Sequence, residues 1–382
     1  MTLRLWTLKK RYNIPIQISM TEAINFGAGP AMLPTAVLQT IQQELLNYQQ
    51  SGLSILEINH RSALFQTIFT ELNVLLRELL DIPSDYVILW LGAPARLQFS
   101  MIPLNFLDDV SRGAYVVSGI WSKLALEEAA KLKQAYVLAS SEENQFNQVP
   151  HIDNKCIKPH TAYLYLTPNE TINGNRLTQI PQVDLPIIAD MTSCLLTEPL
   201  KVNQFDFIFA GVQKNIANAG LTLVLARHSF LKKSVYNMLP TYLSYQTHEQ
   251  AHSLYGTPPT FNCYVALKML QWLKAHGGVA AVYQHNQIKA KLLYDYIDAS
   301  NFYYCKVLPK YRSQVNVCFG LPSHELEQTF VLMAEKKGLY GLKGHRFVGG
   351  IRASIYNAMP LSSVKKLLDF MQTFAQLKGH KQ

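Results

Sequence analysis

The chain has 382 residues, 48% of them hydrophobic and 16% charged, with a formal net charge of +9. This length favours two domains over one, because single hydrophobic cores stop growing beyond about 300 residues. No apolar run approaches the roughly 20 residues of a membrane-spanning helix, and the basic residues are scattered without a nucleic-acid-binding motif. We therefore expect neither a membrane nor a nucleic acid as partner, and the positive charge favours small anionic ligands.

Five cysteines, an odd number without a CxxC pair, predict free thiols rather than a disulfide framework or a zinc site. Free thiols are typical of a reducing compartment, so we expect a cytoplasmic protein that holds no metal. The first 19 residues are basic and contain no acidic residue, but they are short and poor in serine for a transit peptide. Residues 1–24 are interpreted as an N-terminal extension.

Helical and strand-like patterns alternate through the first two thirds of the chain. Apolar spacing predicts helices over Pro34–Gln49, Leu64–Leu80 and Ser122–Leu132. Short apolar runs predict seven strands, at Tyr86–Leu91, Tyr115–Val117, Tyr136–Leu138, Ala162–Leu166, Leu185–Ala189, Phe205–Ala210 and Leu221–Leu225. The segment 142–160 is polar and irregular. This alternation predicts βαβ units and a mostly parallel seven-stranded sheet flanked by helices.

The pattern changes after Pro258 and Pro259. Helices are predicted over Phe261–Ala275, Val279–Asp298, Ser323–Lys337 and Leu361–Leu377, and strands over Tyr304–Leu308, Val315–Phe319 and Arg352–Tyr356. Gly277 and Gly278 form a helix C-cap signal. We therefore predict an α/β fold with a large domain over residues 25–260 and a smaller C-terminal α+β domain over residues 261–382.

Lys214 and Asp190 follow the ends of two predicted strands. Open α/β sheets bind ligands outside the carboxyl ends of their strands. A lysine that is desolvated there has a lowered pKa, and its neutral amine attacks carbonyl groups. A single loop lysine is more often solvated, but Asp190 changes the balance. An amine for a Schiff base and a carboxylate for a pyridinium nitrogen are what pyridoxal phosphate (PLP) requires from a protein.

Two further features fit the same cofactor, although each has an ordinary explanation. The turn Gly92–Arg96 joins a strand to a helix, and the N-terminus of a helix is a ready phosphate site. Small residues in such turns also occur for steric reasons alone. Trp121 follows the strand at Tyr115–Val117, and its ring is suited to stacking on a cofactor, although a core or lid tryptophan fits the sequence equally well.

Histidine and arginine side chains occur in turn-like segments that suit anion recognition. These are His60 with Arg61, His345 with Arg346, and Arg352. Arginine holds carboxylate and phosphate groups in a bidentate fork. Taken singly, each is most often a surface charge. Together they favour a substrate with more than one acidic group.

At these positions the chain resembles the phosphoserine aminotransferases, PLP-dependent class-V enzymes of the aspartate-aminotransferase fold type (fold type I). The resemblance extends from Asn25 to about Phe374. It is carried by the sequence NFGAGPAMLP from Asn25, the pair His60-Arg61, LQFSMIPLN from Leu97, Trp121, Pro168–Thr171, Asp190, AGVQKN around Lys214, TPPTF from Thr257 and KGHRFVGGIRASIYNAM from Lys343.

The resemblance implies a role for each site residue. Lys214 would bind PLP covalently, Asp190 would pair with the pyridine nitrogen, and Trp121 would stack on the ring. Thr171 would bond near the phenolic oxygen or the phosphate. The phosphate would be held by Ala95, Arg96 and Gln213, with Thr257 from a partner subunit. Arg352 would bind the substrate α-carboxylate. The second acidic group would be held by His345 and Arg346, with His60 and Arg61 of the partner chain.

By the same resemblance the chain would be a homodimeric transaminase with shared active sites. It would convert 3-phosphohydroxypyruvate and L-glutamate to O-phospho-L-serine and 2-oxoglutarate in serine biosynthesis. A related reaction on 4-phosphohydroxythreonine, in pyridoxine biosynthesis, would also be open to it. Two alternatives are a PLP transaminase for an unphosphorylated amino acid and a non-catalytic paralogue that keeps the fold.

The chain departs from the family pattern where the phosphate would be held. Ala93-Pro94-Ala95 stands where glycines are usual, and Pro94 has no N–H to donate. Gly256 occupies the position of an asparagine that usually binds the cofactor phosphate. These changes predict weaker retention of PLP without a change in the chemistry.

Overall fold

A seven-stranded sheet dominates the computed structural model, which describes residues 23–235 and 239–379. The strands of the described ranges are β1 (Ile24–Asn25), β2 (Tyr86–Leu91), β3 (Arg112–Val117), β4 (Ala135–Ser140), β5 (Thr161–Leu166), β6 (Asn169–Glu170), β7 (Asn175–Arg176), β8 (Ile187–Asp190), β9 (Phe207–Gly211), β10 (Thr222–Arg227), β11 (Asn316–Phe319), β12 (Leu339–Tyr340) and β13 (Ile351–Ser354). The α-helices are α1 (Thr35–Glu44), α2 (Ala63–Leu80), α3 (Gln98–Phe106), α4 (Ile120–Leu132), α5 (His228–Leu231), α6 (Tyr245–Gln250), α7 (Thr260–Ala275), α8 (Gly278–Ala299), α9 (His324–Lys336) and α10 (Leu361–Gly379).

The sheet has the strand order β2-β10-β9-β8-β5-β3-β4. Strand β10 is antiparallel to both of its neighbours, and the remaining strand pairs are parallel. All seven strands predicted from the sequence are present, and the α/β fold with a mostly parallel sheet is confirmed.

Both faces of the sheet are covered by helices, which explains why its strands are apolar along their whole length. In β9 the side chains alternate: Phe207 and Phe209 pack with α3 and α4, whereas Ile208 and Ala210 pack with α2 and α7. This period of two follows from strand geometry. The polar side chains of the site are therefore found where the strands end and not within them.

A third hydrophobic cluster joins the C-terminal half of α8 to α9, α10, β11 and β13. The start of the described chain belongs to it as well, because Ile24 and Phe26 pack in this cluster and β1 pairs in parallel with β12. The predicted boundary between residues 25–260 and 261–382 remains a prediction. Within the described ranges, the helices are too short or too polar to cross a membrane.

Two local predictions were wrong. The run Tyr304–Leu308 is not a strand: Tyr304 makes one isolated bridge to Gly320, and the Leu308 N–H donates to the Asn147 carbonyl in the irregular segment instead. Helix α1 ends at Glu44 rather than Gln49, because the chain folds back and the Ser54 hydroxyl donates to the Leu45 carbonyl at 2.5 Å.

A buried lysine fixes the chain that follows β13. Lys289 on α8 is 1% exposed, and its amine donates to the carbonyls of Ile355, Tyr356 and Met359 at 2.9, 2.7 and 3.0 Å. This segment follows directly on the strand that carries Arg352, so the lysine helps to place an anion-recognition residue. Its position on an otherwise ordinary helix gave no signal in the sequence.

We expect Lys289→Met to lower the free energy of unfolding by about 3 kcal/mol, because three buried carbonyls lose their donor at about 1 kcal/mol each. The matched control is Lys291→Met on the same helix, whose exposed ion pair with Asp295 has an N–O distance of 2.7 Å. Its effect should stay within about 0.5 kcal/mol. Chemical denaturation measures both, and equal unfolding midpoints for the two variants would contradict the assignment.

Candidate active site

Seven of the fourteen site residues singled out from the sequence lie at the carboxyl ends of β2, β3, β5, β8 and β9. There they surround a cavity of about 130 Å³. The cavity is lined by Pro94, Ala95, Arg96, Phe99, Trp121, Thr167, Asn169, Thr171, Asp190, Thr192, Ser193, Gln213 and Lys214. Seven predicted site residues are in this group, which is the arrangement expected of a ligand crevice in an open α/β sheet.

Asp190 is the last residue of β8 and lies at the floor of the site. It is buried, and its Oδ1 accepts a hydrogen bond from the Thr192 N–H at 3.0 Å. Burial raises the pKa of Asp190, while the hydrogen bonds from Thr192 and the charge of Lys214 act in the opposite direction. A positive group placed against Asp190 would therefore stabilise the charged form of its carboxylate.

Lys214 stands three residues beyond the end of β9, and its amine donates to the Thr171 hydroxyl. Burial lowers its pKa to about 8, and the charge of Arg352 acts in the same direction, whereas Asp190 opposes the shift. The amine is thus neutral over a range in which an ordinary lysine is charged. A neutral lysine amine in a cavity is a nucleophile toward carbonyl carbon and a base toward C–H protons.

Trp121 forms one wall of the cavity. It is the second residue of α4, immediately after β3, and its ring centroid lies 5.8 Å from the Lys214 amine. The Arg96 guanidinium lies 5.2 Å from the same centroid. The lysine amine and the guanidinium of the strand-to-helix turn therefore both lie near this one ring.

That turn begins with Pro94 and forms one turn of 3₁₀-helix over Ala95–Leu97 before α3. Gly211, at the end of β9, packs directly against it. A Cβ atom on Gly211 would lie 3.0 Å from the Ala95 Cβ and 2.6 Å from the Gln213 Oε1. The glycine thus lets the turn and Gln213 approach each other at the mouth of the cavity.

Three of the predicted anion-binding cations, His345, Arg346 and Arg352, interact electrostatically with Arg96 of this cavity. Burial lowers the pKa of His345, and the charges of Arg352, Arg346 and Arg96 lower it further. These four basic side chains are therefore close enough for their charges to repel one another. Arg352 also lines a second cavity of about 170 Å³ together with Gly344, Gly349 and Gly350. An anion with two charged groups would relieve this repulsion.

Seven predicted site residues lie outside the 130 Å³ cavity of the single chain. They are the cations His345, Arg346 and Arg352 together with His60, Arg61, Gly256 and Thr257. His60 and Arg61 precede α2, where the Arg61 N–H donates to the Asn59 side chain at 2.8 Å. Gly256 lies beside Tyr242, whose Cε2 would be 3.0 Å from a Cβ atom at this position. His60, Arg61, Gly256 and Thr257 therefore do not line the site of their own chain. They would contribute to a site only from a second subunit.

Sequence reasoning missed part of the site. Asn169 connects two sides of it, because its amide donates to the Ser193 hydroxyl at 2.8 Å and to the Asn316 side chain at 2.9 Å. Glu170 is fully buried next to Trp121. Both belong to the block Pro168–Thr171, so the signal was present in the sequence, but only Thr171 was assigned a role.

The residues fit PLP. Two buried polar atoms of the cavity, Trp121 Nε1 and Thr167 Oγ1, have no hydrogen-bond partner in the described part of the chain. The reactive amine, the buried carboxylate, the flat aromatic wall and the strand-to-helix turn supply the four contacts that an aldehyde-bearing pyridinium phosphate needs. Within the described ranges, no group of three His, Cys, Asp or Glu side chains is placed to hold a metal ion.

Fold and site together define a PLP-dependent aminotransferase. In agreement, residues 23–367 match the family model described as aminotransferase class-V. A phosphoserine aminotransferase of Legionella pneumophila (strain Paris) is 49% identical over 360 residues, which cover 94% of this chain and 99% of the relative.

Solved structures are similar over the same length. The phosphoserine aminotransferase from Bacillus circulans subsp. alkalophilus is 41% identical with a TM-score of 0.90, covering 93% of this chain and 99% of its own. The PLP-bound phosphoserine aminotransferase from Trichomonas vaginalis is 34% identical with a TM-score of 0.88, covering 92% and 99%. The chain belongs to the phosphoserine aminotransferase family.

The lowered pKa of Lys214 predicts how the cofactor-free protein captures PLP. Only the neutral amine attacks the aldehyde, so the capture rate should rise with pH and level off above about 8 rather than above 10.5. Asp190→Asn removes a charge that raises this pKa, so the midpoint should move to lower pH. Absorbance recorded after rapid mixing measures the rate.

The matched control is Asp184→Asn, which removes an exposed carboxylate and should leave the midpoint unchanged. A wild-type midpoint near 10, or an upward shift in Asp190→Asn, would contradict the account of Lys214.

Proposed function

We propose that the chain transfers the amino group of L-glutamate to 3-phosphohydroxypyruvate, giving O-phospho-L-serine and 2-oxoglutarate. The observation that carries this proposal is the basic character of the site: Arg352 lowers the pKa of Lys214, and Arg352, Arg346 and Arg96 lower the pKa of His345. Both amino donor and amino acceptor carry two acidic groups, and an unphosphorylated acceptor such as pyruvate carries one. Charge complementarity therefore favours the phosphorylated substrate.

The cofactor would be held by the residues that line the cavity. Ala95, Arg96 and Gln213 are assigned to its phosphate, with Thr257 and the adjacent Gly256 reaching in from the partner subunit. Asp190 is assigned to the ring nitrogen, Trp121 to the ring face and Thr171 to the phenolic side.

Lys214 is assigned the proton transfer. PLP supplies an electron sink for the electrons that remain when the substrate Cα loses its proton. With PLP bound, neutral Lys214 would act as the base that accepts this proton and then as the acid that returns it. Its pKa of about 8 suits both halves of this task, because the amine accepts and releases a proton near neutral pH.

Arg352 is assigned to the substrate α-carboxylate. His345 and Arg346 are assigned to the phosphate of one substrate and the side-chain carboxylate of the other. His60 and Arg61 would complete this second site from the neighbouring subunit. The same contacts accommodate 4-phosphohydroxythreonine and its keto acid, which share the phosphate and the carboxylate, so we extend the proposal to the pyridoxine-forming reaction.

A homodimer is part of the proposal. Apolar side chains are exposed in the segment that precedes His60, with Leu46 at 81% and Leu56 at 59% exposure. An exposed apolar surface of this kind is typical of a protein interface. A dimer that covered it would bring His60 and Arg61 toward the partner's site. The five free cysteines support a cytoplasmic location.

The proposed specificity predicts a large difference between amino acceptors. With glutamate as donor, kcat/KM for 3-phosphohydroxypyruvate should exceed that for pyruvate by about 10⁴-fold, because pyruvate leaves the phosphate-binding groups unpaired. A coupled assay of 2-oxoglutarate formation measures both values. Equal values would favour a transaminase for unphosphorylated substrates, and no turnover with either acceptor would favour a non-catalytic paralogue.

Arg346→Ala tests the phosphate contact separately. We expect kcat/KM for 3-phosphohydroxypyruvate to fall by about 100-fold, because one charged hydrogen-bonded pair contributes about 3 kcal/mol. The value for pyruvate should be unchanged. Lys201→Ala, at an exposed lysine, is the control and should alter neither value. An equal loss with both acceptors would place Arg346 outside the phosphate site.

A further inference from the structure

The N-terminus of α4 is held by two side chains, one from the end of β6 and one from the loop that follows it. The first N–H groups of a helix have no partners within the helix. Here the Ile120 N–H donates to Asn173 Oδ1 at 3.0 Å, and the Trp121 and Ser122 N–H groups donate to the two oxygens of Glu170 at 3.0 and 2.8 Å. The helix end that carries Trp121 is therefore fully paired.

The Glu170 carboxylate is built deeply into this contact. It has no exposed surface, and it accepts a further hydrogen bond from the Ser122 hydroxyl at 2.6 Å. Burial raises its pKa to about 7, against the hydrogen bonds from Ser122 and Trp121. A carboxylate at the positive end of a helix is stabilised by the helix dipole.

Gly119 shows how closely the two segments approach. A Cβ atom on Gly119 would lie 2.4 Å from the Glu170 Cδ. The φ angle of Gly119 is −176°, which any residue adopts, so the glycine is required by space and not by backbone conformation. The carboxylate is therefore pressed against the backbone just before α4.

Two components of the site depend on this contact. Trp121 follows Gly119 by two residues and forms a wall of the cavity, and Thr171 directly follows Glu170 and accepts the hydrogen bond from Lys214. The contact also fills the N-terminus of α4 with a protein carboxylate. Because these N–H groups are occupied, a phosphate group would bind at the other strand-to-helix turn, Ala95–Leu97.

We propose that Glu170 is a positioning residue of the transamination site, fixing the plane of Trp121 and the hydroxyl of Thr171 through one buried carboxylate. Glu170 itself touches neither substrate nor cofactor, and the inference rests on the proposed function. A helix cap that served stability alone would lower the unfolding temperature when removed, but would leave the environment of Trp121 and the turnover of the folded enzyme unchanged.

The test is Glu170→Gln in the PLP-loaded enzyme and in its cofactor-free form. The glutamine amide replaces one acceptor oxygen by a donor, so the N–H of Trp121 or Ser122 loses its partner. We expect kcat/KM for 3-phosphohydroxypyruvate to fall by about 30-fold, since small displacements of positioning groups have effects of this order. The visible circular dichroism of bound PLP should weaken. Acrylamide quenching of Trp121 in the cofactor-free protein, isolated by comparison with Trp121→Phe backgrounds, should increase.

Glu128→Gln is the matched control, because Glu128 lies on the same helix with its carboxylate bonded to Lys131 and Ser100 near the surface. It should change none of the three readouts. Wild-type activity within twofold and unchanged quenching in Glu170→Gln would overturn the inference while leaving the proposed function intact. An inactive wild type would overturn the proposed function instead.

If Glu170→Gln does not fold, Asn173→Ala takes its place. It releases the Ile120 N–H from the same helix end without touching the carboxylate. A smaller change of the same sign in quenching and in kcat/KM supports the inference, and no change in either overturns it.

Discussion

The site depends on a lysine amine that is kept out of water beside a buried carboxylate. Burial disfavours the charge of Lys214 and also that of Asp190, whereas their mutual attraction opposes both effects. Burial is the larger effect on each group, so the pKa of the amine is lowered to about 8 and the pKa of the acid is raised. A pyridinium ring placed between them would satisfy the acid and free the amine to act as a nucleophile.

The fold produces this pair by a simple geometric rule. Adjacent parallel strands β8 and β9 end at the same edge of the sheet, so the residue that ends one and the residue that soon follows the other are neighbours. The helices that cover both faces keep water out, and the end of β6 adds Glu170 and the following residue Thr171. The C-terminal segment around β13 then adds Arg352, held in place through the chain that Lys289 fixes.

The sequence predicted all seven sheet strands, because each is an apolar run bounded by turn residues, and it predicted Lys214 and Asp190, because each follows such a run. It did not predict Glu170 or Lys289, since buried charges are recognised by their partners and the partners lie far away in the chain. Tyr304–Leu308 was mistaken for a strand because it is an apolar run, but Tyr304 and Leu308 are exposed and the run makes only one isolated bridge, from Tyr304 to Gly320. His60, Arg61 and Thr257 lie outside the cavity of one chain, and the roles proposed for them would require subunit contacts that strand and helix patterns do not encode.

The most direct measurement of the central claim is the absorbance spectrum of the purified protein, recorded before and after L-glutamate is added. The account predicts a visible band from PLP bound to Lys214, lost on addition of glutamate with release of one 2-oxoglutarate per site and restored by 3-phosphohydroxypyruvate. The same band should be absent from Lys214→Ala treated identically. A band that persists unchanged in Lys214→Ala, or one that does not respond to glutamate in the wild type, would contradict the account.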